Sequence, residues 1–156
     1  MTDSGNDLRL YFAYGSNLSL KQMEKRCPDS SKLGIAVLPQ YRWGISCRGY
    51  ANIYQSDEHV IYGVLYTLSA KDEKYLDRME GVAIGCYDKF ELEVIMYDDY
   101  ISNRDNPVKR SALVYIDPRL EEGRPKEEYI GRMKAGLEDA QLPEGWVNTY
   151  ILPLLY

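Results

Sequence analysis

The chain has 156 residues, of which 45 % are apolar and 28 % charged, and its formal net charge is −5. This composition is that of one soluble domain, with no apolar run long enough to cross a bilayer and no basic stripe suited to nucleic acid. Three widely spaced cysteines and a single histidine argue against a disulfide framework and a metal site, and no cofactor is expected.

A single domain is predicted over residues 1–156, with residues 1–7 as a flexible lead. The opening Met1–Asp7 is polar and acidic, unlike the start of a signal peptide, so a cytoplasmic protein is expected. The expected partner is a small molecule, with no role for nucleic acid or a membrane, and the oligomeric state is left open.

The first element is a strand followed by a sharp turn and a helix. Leu8–Tyr14 is a dense apolar and aromatic run that stops at Gly15. Ser19 and Gln22 have the spacing of a capping box, in which the serine oxygen accepts from the first turn and the glutamine reaches back. A helix is therefore predicted to begin at about Leu20.

The loop between this strand and helix consists of Tyr14, Gly15, Ser16, Asn17 and Leu18. Its backbone N–H groups lie next to the positive end of a helix and could receive an anion or a developing oxyanion. The alternative is a simple tight connection. A serine nucleophile is disfavoured, because the G-x-S-x-G pattern is absent and the only histidine, His59, falls in a polar stretch predicted to be a hairpin turn.

Further strands are predicted along the chain. Gly63 lies inside the strongest of them and marks either a bulge or a close approach of another backbone. The strand segments are 35–38, 41–47 after a break at Pro39, a short strand after the bend at Gly49, 60–68 beyond the hairpin tip 56–59, 90–96 and 111–116 beyond the polar turn 103–107.

Two more helices are predicted. One begins near Ser69, carries Leu76 and Met79 on one face and ends at Glu80–Gly81, and the longer one begins at Pro125 and ends before Pro143. The apolar tail 147–156 is expected to dock on the body. Six or seven short strands with two or three helices predict an α+β domain, and closure of the strands into a small barrel would remove exposed edges.

Two features suggest a site. The chain has 15 tyrosines against 2 phenylalanines, which suits a pocket or interface with polar edges, although half-buried strand positions would also explain them. Glu80 stands at the negative end of a helix, before the apolar stretch 81–85, so burial would raise its pKa and make it a general base near neutral pH. The alternative is a glutamate that points into water.

Several segments form an ordered set along the chain, namely Tyr11–Leu18, Gly49–Ile53, Met79–Val82 with Gly85 and Tyr87, and Tyr115. In this set the chain resembles the γ-glutamylcyclotransferase family, also called the AIG2-like family. The resemblance covers the chain from about residue 10 to about residue 143. It implies a small mixed β-barrel flanked by helices, with the loop and the glutamate facing one cavity.

The resemblance also implies a reaction. The α-amine of a γ-glutamyl group attacks its own γ-carbonyl, which releases 5-oxoproline and a free amine, and no cofactor takes part. Glu80 would be the acid/base, the backbone of Gly15–Leu18 would hold the glutamyl end, and Tyr14, Tyr87 and Tyr115 would shape the pocket. The leaving amine could be an amino acid, the side chain of lysine or an aminoglycoside antibiotic intermediate, and glutathione ranks lower.

Two other functions remain open at this point. A non-catalytic binding module of the same fold would keep the pocket without the reaction, and a γ-glutamyl hydrolase would use water in place of the internal amine. Product analysis separates the hydrolase, because it would release glutamate rather than 5-oxoproline.

Overall fold

The computed structural model describes residues 8–156, so the flexible lead predicted for residues 1–7 lies outside the described part. Five strands form a closed barrel in the order β1-β3-β2-β4-β5. The strands are β1 Arg9–Ala13, β2 Lys32–Ile45, β3 Ala51–Leu68, β4 Asp88–Met96 and β5 Lys109–Ile116. All ladders are antiparallel except the one that closes the barrel, where Tyr11 of β1 pairs with Leu113 of β5 in parallel.

Helices flank the barrel. They are α1 Leu20–Arg26, α2 Ala70–Met79, α3 Tyr97–Ser102 and α4 Glu127–Ala140, followed by the C-terminal helical pieces Glu144–Trp146, Val147–Ile151 and Leu152–Leu155. The tail docks as expected, because Ile151 is fully buried and the Trp146 indole donates to the Val60 carbonyl at 3.0 Å. No helix within residues 8–156 has the length and apolar character needed to cross a membrane.

The α+β class and the barrel are confirmed, but the barrel has five strands rather than six or seven. The reason is that two predicted pairs of strands are each one continuous strand. Pro39 does not end β2: it pairs with Val60 in a part of the strand where only β3 is a partner, so its missing N–H costs little.

The prediction of a hairpin tip at 56–59 is wrong. The residues on both sides pair with β2, since Gln55 lies opposite Tyr41 and Val60 opposite Pro39, so the polar stretch is a bulge within β3. The turn that joins β2 to β3 lies earlier, where Ser46 N–H donates to the Tyr50 carbonyl at 2.8 Å. His59 therefore stands in a strand, with its Nδ1 2.6 Å from the Ser56 hydroxyl.

At Gly63, β3 lies unusually close to the backbone of β1. A Cβ built on it would lie 2.4 Å from the carbonyl oxygen of Ala13 and 2.7 Å from the ring of Phe12. Its ladder partner is Ala36, with no register shift at this position. The second of the two alternatives for this glycine, a neighbouring backbone rather than a bulge, is the one observed.

Candidate active site

The loop after β1 is a tight turn with little room for a side chain at its start. Ser16–Leu18 form one turn of 3₁₀ helix, and a Cβ on Gly15 would meet the Tyr129 hydroxyl at 2.8 Å. The N–H groups of Leu18 and Ser19 donate to the carbonyls of Gly15 and Ser16, and Ser16 N–H donates to Tyr129 at 3.3 Å. Within residues 8–156, the N–H groups of Gly15 and Asn17 are left without an acceptor.

The side chains of the loop are held by α1. Ser19 caps the helix by accepting from Gln22 N–H at 3.2 Å, as expected, but the Gln22 side chain does not complete a capping box. Its amide instead donates to the Ser16 hydroxyl and to the Asn17 side-chain oxygen, both at 2.8 Å. Arg26 donates to the same Asn17 oxygen at 3.1 Å, so the loop is fixed before any ligand arrives.

Glu80 follows the last residue of α2. Ser69 caps the start of this helix, and Gly81 ends it with a left-handed φ of +64°, the conformation that glycine tolerates best. Burial raises the pKa of the Glu80 carboxyl to about 7, against the opposing positive charges of Arg26, Arg48 and Arg132. The ion pairs found among the described residues use other carboxylates, so Glu80 is free to meet a substrate.

One cavity of about 420 Å³ brings the loop and the glutamate together. Seven of the eight residues that the sequence singled out line it: Tyr14, Gly15, Ser16, Asn17, Glu80, Tyr87 and Tyr115. Leu18 does not. Its side chain is buried in the core at 1 % exposure and its N–H is used by the turn, so it is not available to hold a ligand.

The three cavity tyrosines that the sequence singled out have hydroxyl groups that donate to other parts of the protein. Tyr14 donates to the carbonyl of Tyr115 at 2.5 Å, Tyr87 to the carbonyl of Ala51 at 3.1 Å, and Tyr115 to Asp77 at 2.7 Å. Burial raises the pKa of all three phenols, so they stay neutral. They act as walls of fixed orientation rather than as acids or bases.

Sequence reasoning missed the positive charge of the cavity. Among residues 8–156, four arginines line it, namely Arg26, Arg48, Arg78 and Arg132, and Glu80 is the one acidic lining residue. They come from α1, the β2–β3 turn, α2 and α4, so no local pattern connects them. Tyr50 and Tyr129 were missed for the same reason, although the aromatic-rich composition was a general signal.

The family model of the AIG2-like family matches residues 60–150. The chain belongs to the AIG2-like family. This AIG2-like chain is 30 % identical to human gamma-glutamylcyclotransferase over 95 residues, which are 54 % of the chain and 50 % of the human protein. It is 27 % identical to the mouse protein of the same name over 148 residues, which are 86 % of the chain and 73 % of the mouse protein.

The match to the human protein thus spans half the length of that relative. A solved structure of a gamma-glutamyl cyclotransferase superposes on the AIG2-like chain with a TM-score of 0.77 and 23 % identity, covering 91 % of this chain and 85 % of the other. At this identity the superposition supports the fold.

Among the residues that the structure describes, metal ligands of the AIG2-like chain do not cluster. No group of three or more His, Cys, Asp or Glu side chains in the described part, residues 8–156, is arranged to hold a metal ion. Cys86 lines the cavity as a free thiol, while Cys27 is buried and Cys47 exposed. Among the described residues, the groups that line the cavity include the Glu80 carboxyl, the Cys86 thiol, the backbone N–H groups of the loop and four arginines.

Proposed function

We propose that this protein is a γ-glutamylcyclotransferase that converts γ-glutamyl amides into 5-oxoproline and a free amine. The observation that carries the proposal is that Glu80, with a pKa of about 7, and the loop Gly15–Asn17 line the same cavity although they are far apart in the chain. The names of the human and mouse relatives give further support.

The loop is proposed to bind the glutamyl end of the substrate. The N–H groups of Gly15 and Asn17 have no acceptor among the described residues, and Arg26 is held beside them by Asn17. Backbone donors and a guanidinium suit a carboxylate, since charge-assisted hydrogen bonds are stronger than neutral ones. The α-carboxylate of the glutamyl group would lie here, which leaves its α-amine and γ-carbonyl to reach Glu80.

Glu80 is proposed to move the proton. In its ionised form it removes a proton from the α-ammonium, and the amine nitrogen then attacks the γ-carbonyl carbon to close the five-membered ring. As the tetrahedral centre collapses, Glu80 returns this proton to the leaving nitrogen, and the bond between that nitrogen and the carbonyl carbon breaks. The carboxylate then takes the second proton from the ring nitrogen and passes it to the released amine, which restores the ionised base. A carboxyl with a pKa near the working pH suits both directions, and such general acid/base catalysis is worth about 10²- to 10⁴-fold.

So small a catalytic apparatus is sufficient because nucleophile and electrophile belong to one molecule. The protein only has to hold the substrate in the folded-over conformer, which brings the amine and the carbonyl together. In well-oriented intramolecular reactions this proximity can lower the barrier by roughly 7–11 kcal/mol. The cavity of about 420 Å³ lies within the range of small-molecule sites. The fixed tyrosine walls would restrict the glutamyl group to this conformer.

The proposal is tested by Glu80→Gln, which keeps the shape of the side chain and removes its basicity. The release of 5-oxoproline from a panel of γ-glutamyl amino acids is measured by mass spectrometry, and kcat/KM is expected to fall by about 10²- to 10⁴-fold. Glu138→Gln, an exposed position on α4, is the matched control and should keep wild-type activity.

Each outcome separates the alternatives. Wild-type turnover by Glu80→Gln would contradict the role given to this residue. Glutamate as the product in place of 5-oxoproline would indicate hydrolysis by water. Calorimetric binding of γ-glutamyl compounds without any product would indicate a binding module.

A further inference from the structure

The four arginines of the cavity differ in the groups of the protein that already bind them. Arg132 is paired with Glu128 at 3.0 Å, and Arg78 is exposed and stacked 5.7 Å from the Tyr75 ring centre. Arg26 belongs to the loop through its bond to Asn17. The remaining cavity arginine, Arg48, is held by a different part of the molecule.

Arg48 is fixed on several sides at once. Its Nε donates to Asp117 at 3.2 Å and its Nη2 to the carbonyl of Cys86 at 3.4 Å. Its guanidinium also lies over two aromatic rings, 5.0 Å from the centre of Tyr87 and 5.5 Å from that of Tyr50. Among residues 8–156, no acceptor meets its Nη1, and Arg48 lines the cavity, so a donor of this guanidinium is left for a ligand.

Asp117 is the anchor of this arrangement. Its carboxylate is fully buried and also accepts from Arg119 at 2.8 Å, while its backbone N–H and carbonyl are both bound to the side chain of Asn52. Burial opposes ionisation of Asp117, but the hydrogen bonds from Arg119 and Arg48 outweigh it and lower the pKa of the carboxyl. An ionised, immobile carboxylate therefore sets the orientation of Arg48.

We propose that Arg48 is a specificity-determining residue that binds a carboxylate on the leaving amine. The inference rests on the proposed function, because the loop and Arg26 take the α-carboxylate of the glutamyl group and Arg48 remains for the other half of the substrate. A planar guanidinium with a free donor suits a carboxylate better than a neutral amide or an ammonium group. Asp117 is the positioning residue that holds this guanidinium.

The inference ranks the three kinds of leaving amine. An amino acid presents its α-carboxylate close to the scissile bond, within reach of a fixed donor. The ε-amine of lysine places its carboxylate several bonds further away. An aminoglycoside or polyamine brings positive charge into a cavity lined by four arginines, so such conjugates should be poor substrates.

The experiment compares two substrates that differ in one group, γ-glutamylalanine and γ-glutamylalaninamide. The wild-type protein should favour the acid over the amide by about 10- to 100-fold in kcat/KM, as expected for a charge-assisted hydrogen bond. Arg48→Gln should abolish this preference, because only the acid loses a binding partner. Loss of the Arg48 charge also raises the pKa of Glu80, which should lower activity on the acid and the amide by the same factor. γ-Glutamylputrescine, with a cationic leaving amine, should be the poorest substrate of the wild-type protein.

Two variants serve as controls. Arg132→Gln also removes one positive charge from the cavity but leaves the contact between Arg48 and Asp117 intact. It should change kcat/KM for the acid and the amide by the same factor. Arg48→Lys keeps the charge but lacks the planar fork, so it should keep part of the preference and guards against a folding defect in Arg48→Gln. Asp117→Asn should weaken the preference without abolishing it.

Binding measured in the Glu80→Gln background makes the test independent of turnover. Calorimetry should show the same acid-over-amide preference, lost on addition of Arg48→Gln. If Arg48→Gln lowered the affinity for the acid and the amide equally, or left the acid-over-amide preference unchanged, the role of Arg48 would be overturned. If the wild-type protein released no 5-oxoproline, the proposed function would fail, and the binding ratio would still decide whether Arg48 recognises a carboxylate.

Discussion

The chemistry of Glu80 depends on a balance between burial and nearby charge. Burial in the cavity raises the pKa of the carboxyl to about 7, while Arg26, Arg48 and Arg132 act in the opposite direction. Had the arginines been absent, the carboxyl would hold its proton still more strongly. The cavity thus keeps the Glu80 carboxyl partly ionised at neutral pH.

At the scale of this one residue, the pH dependence of the reaction can be predicted. The base must be ionised to accept a proton, so kcat/KM for 5-oxoproline release should rise tenfold per pH unit below pH 7 and level off above it. Because the charge of Arg132 lowers the pKa of Glu80, the midpoint should move upward in Arg132→Gln. A profile that is flat between pH 5 and 9 would contradict the assignment.

Among the elements, the segment that follows α2 places Glu80. Gly81 and Gly85 both adopt left-handed backbone, with φ of +64° and +78°. Between them, Val82–Ile84 form a 3₁₀ turn, and Arg119 holds its end by donating to the carbonyls of Gly85 and Cys86. The turn is therefore fixed at both ends, and Glu80 stands at the first of them.

The two glycines offer a matched pair of variants. A Cβ at Gly81 would lie 2.9 Å from Cys86, whereas one at Gly85 would meet nothing within 4 Å. Both alanine substitutions should lower the free energy of unfolding by about 1–2 kcal/mol, because left-handed backbone strains an L-residue. Only Gly81→Ala should also displace Glu80, and we expect kcat/KM to fall by roughly tenfold or more in that variant alone. Urea denaturation and product release measure the two effects, and equal activity of both variants would refute the distinction.

For the molecule as a whole, closure of the barrel brings the site together. β1 pairs with β3 on one side and β5 on the other, so the loop after β1 meets the parts of the chain that carry Glu80 and Tyr115. The tight crossing at Gly63, against the Ala13 carbonyl just before the loop, is part of this closure. A substitution at this crossing should therefore lower the stability of the whole fold.

Gly63→Ala tests the importance of the barrel closure. The added Cβ would meet backbone that cannot move alone, so the free energy of unfolding should fall by about 2–3 kcal/mol. Gly131→Ala, in α4 with nothing within 4 Å of the new Cβ, should instead raise it by about 0.5–1 kcal/mol. Urea denaturation compares the two, and similar changes of the same sign in both variants would contradict this account.

The sequence by itself determined the local features of this protein. The apolar run before Gly15, the serine caps of α1 and α2 and the helix end at Gly81 were readable because capping and turn chemistry act over three or four residues. The loop and the glutamate were therefore located correctly as elements. The common role proposed for them came from the likeness to the AIG2-like family rather than from local chemistry.

Only the tertiary structure decided the strand count and the charge of the cavity. β2 and β3 are continuous because their pairing resumes on both sides of an irregularity formed by Pro39 and the polar stretch 56–59. The four arginines come from four separate elements, and Leu18 turned inward because the 3₁₀ turn uses its N–H. Such features depend on contacts between distant parts of the chain, which short-range periodicity does not encode.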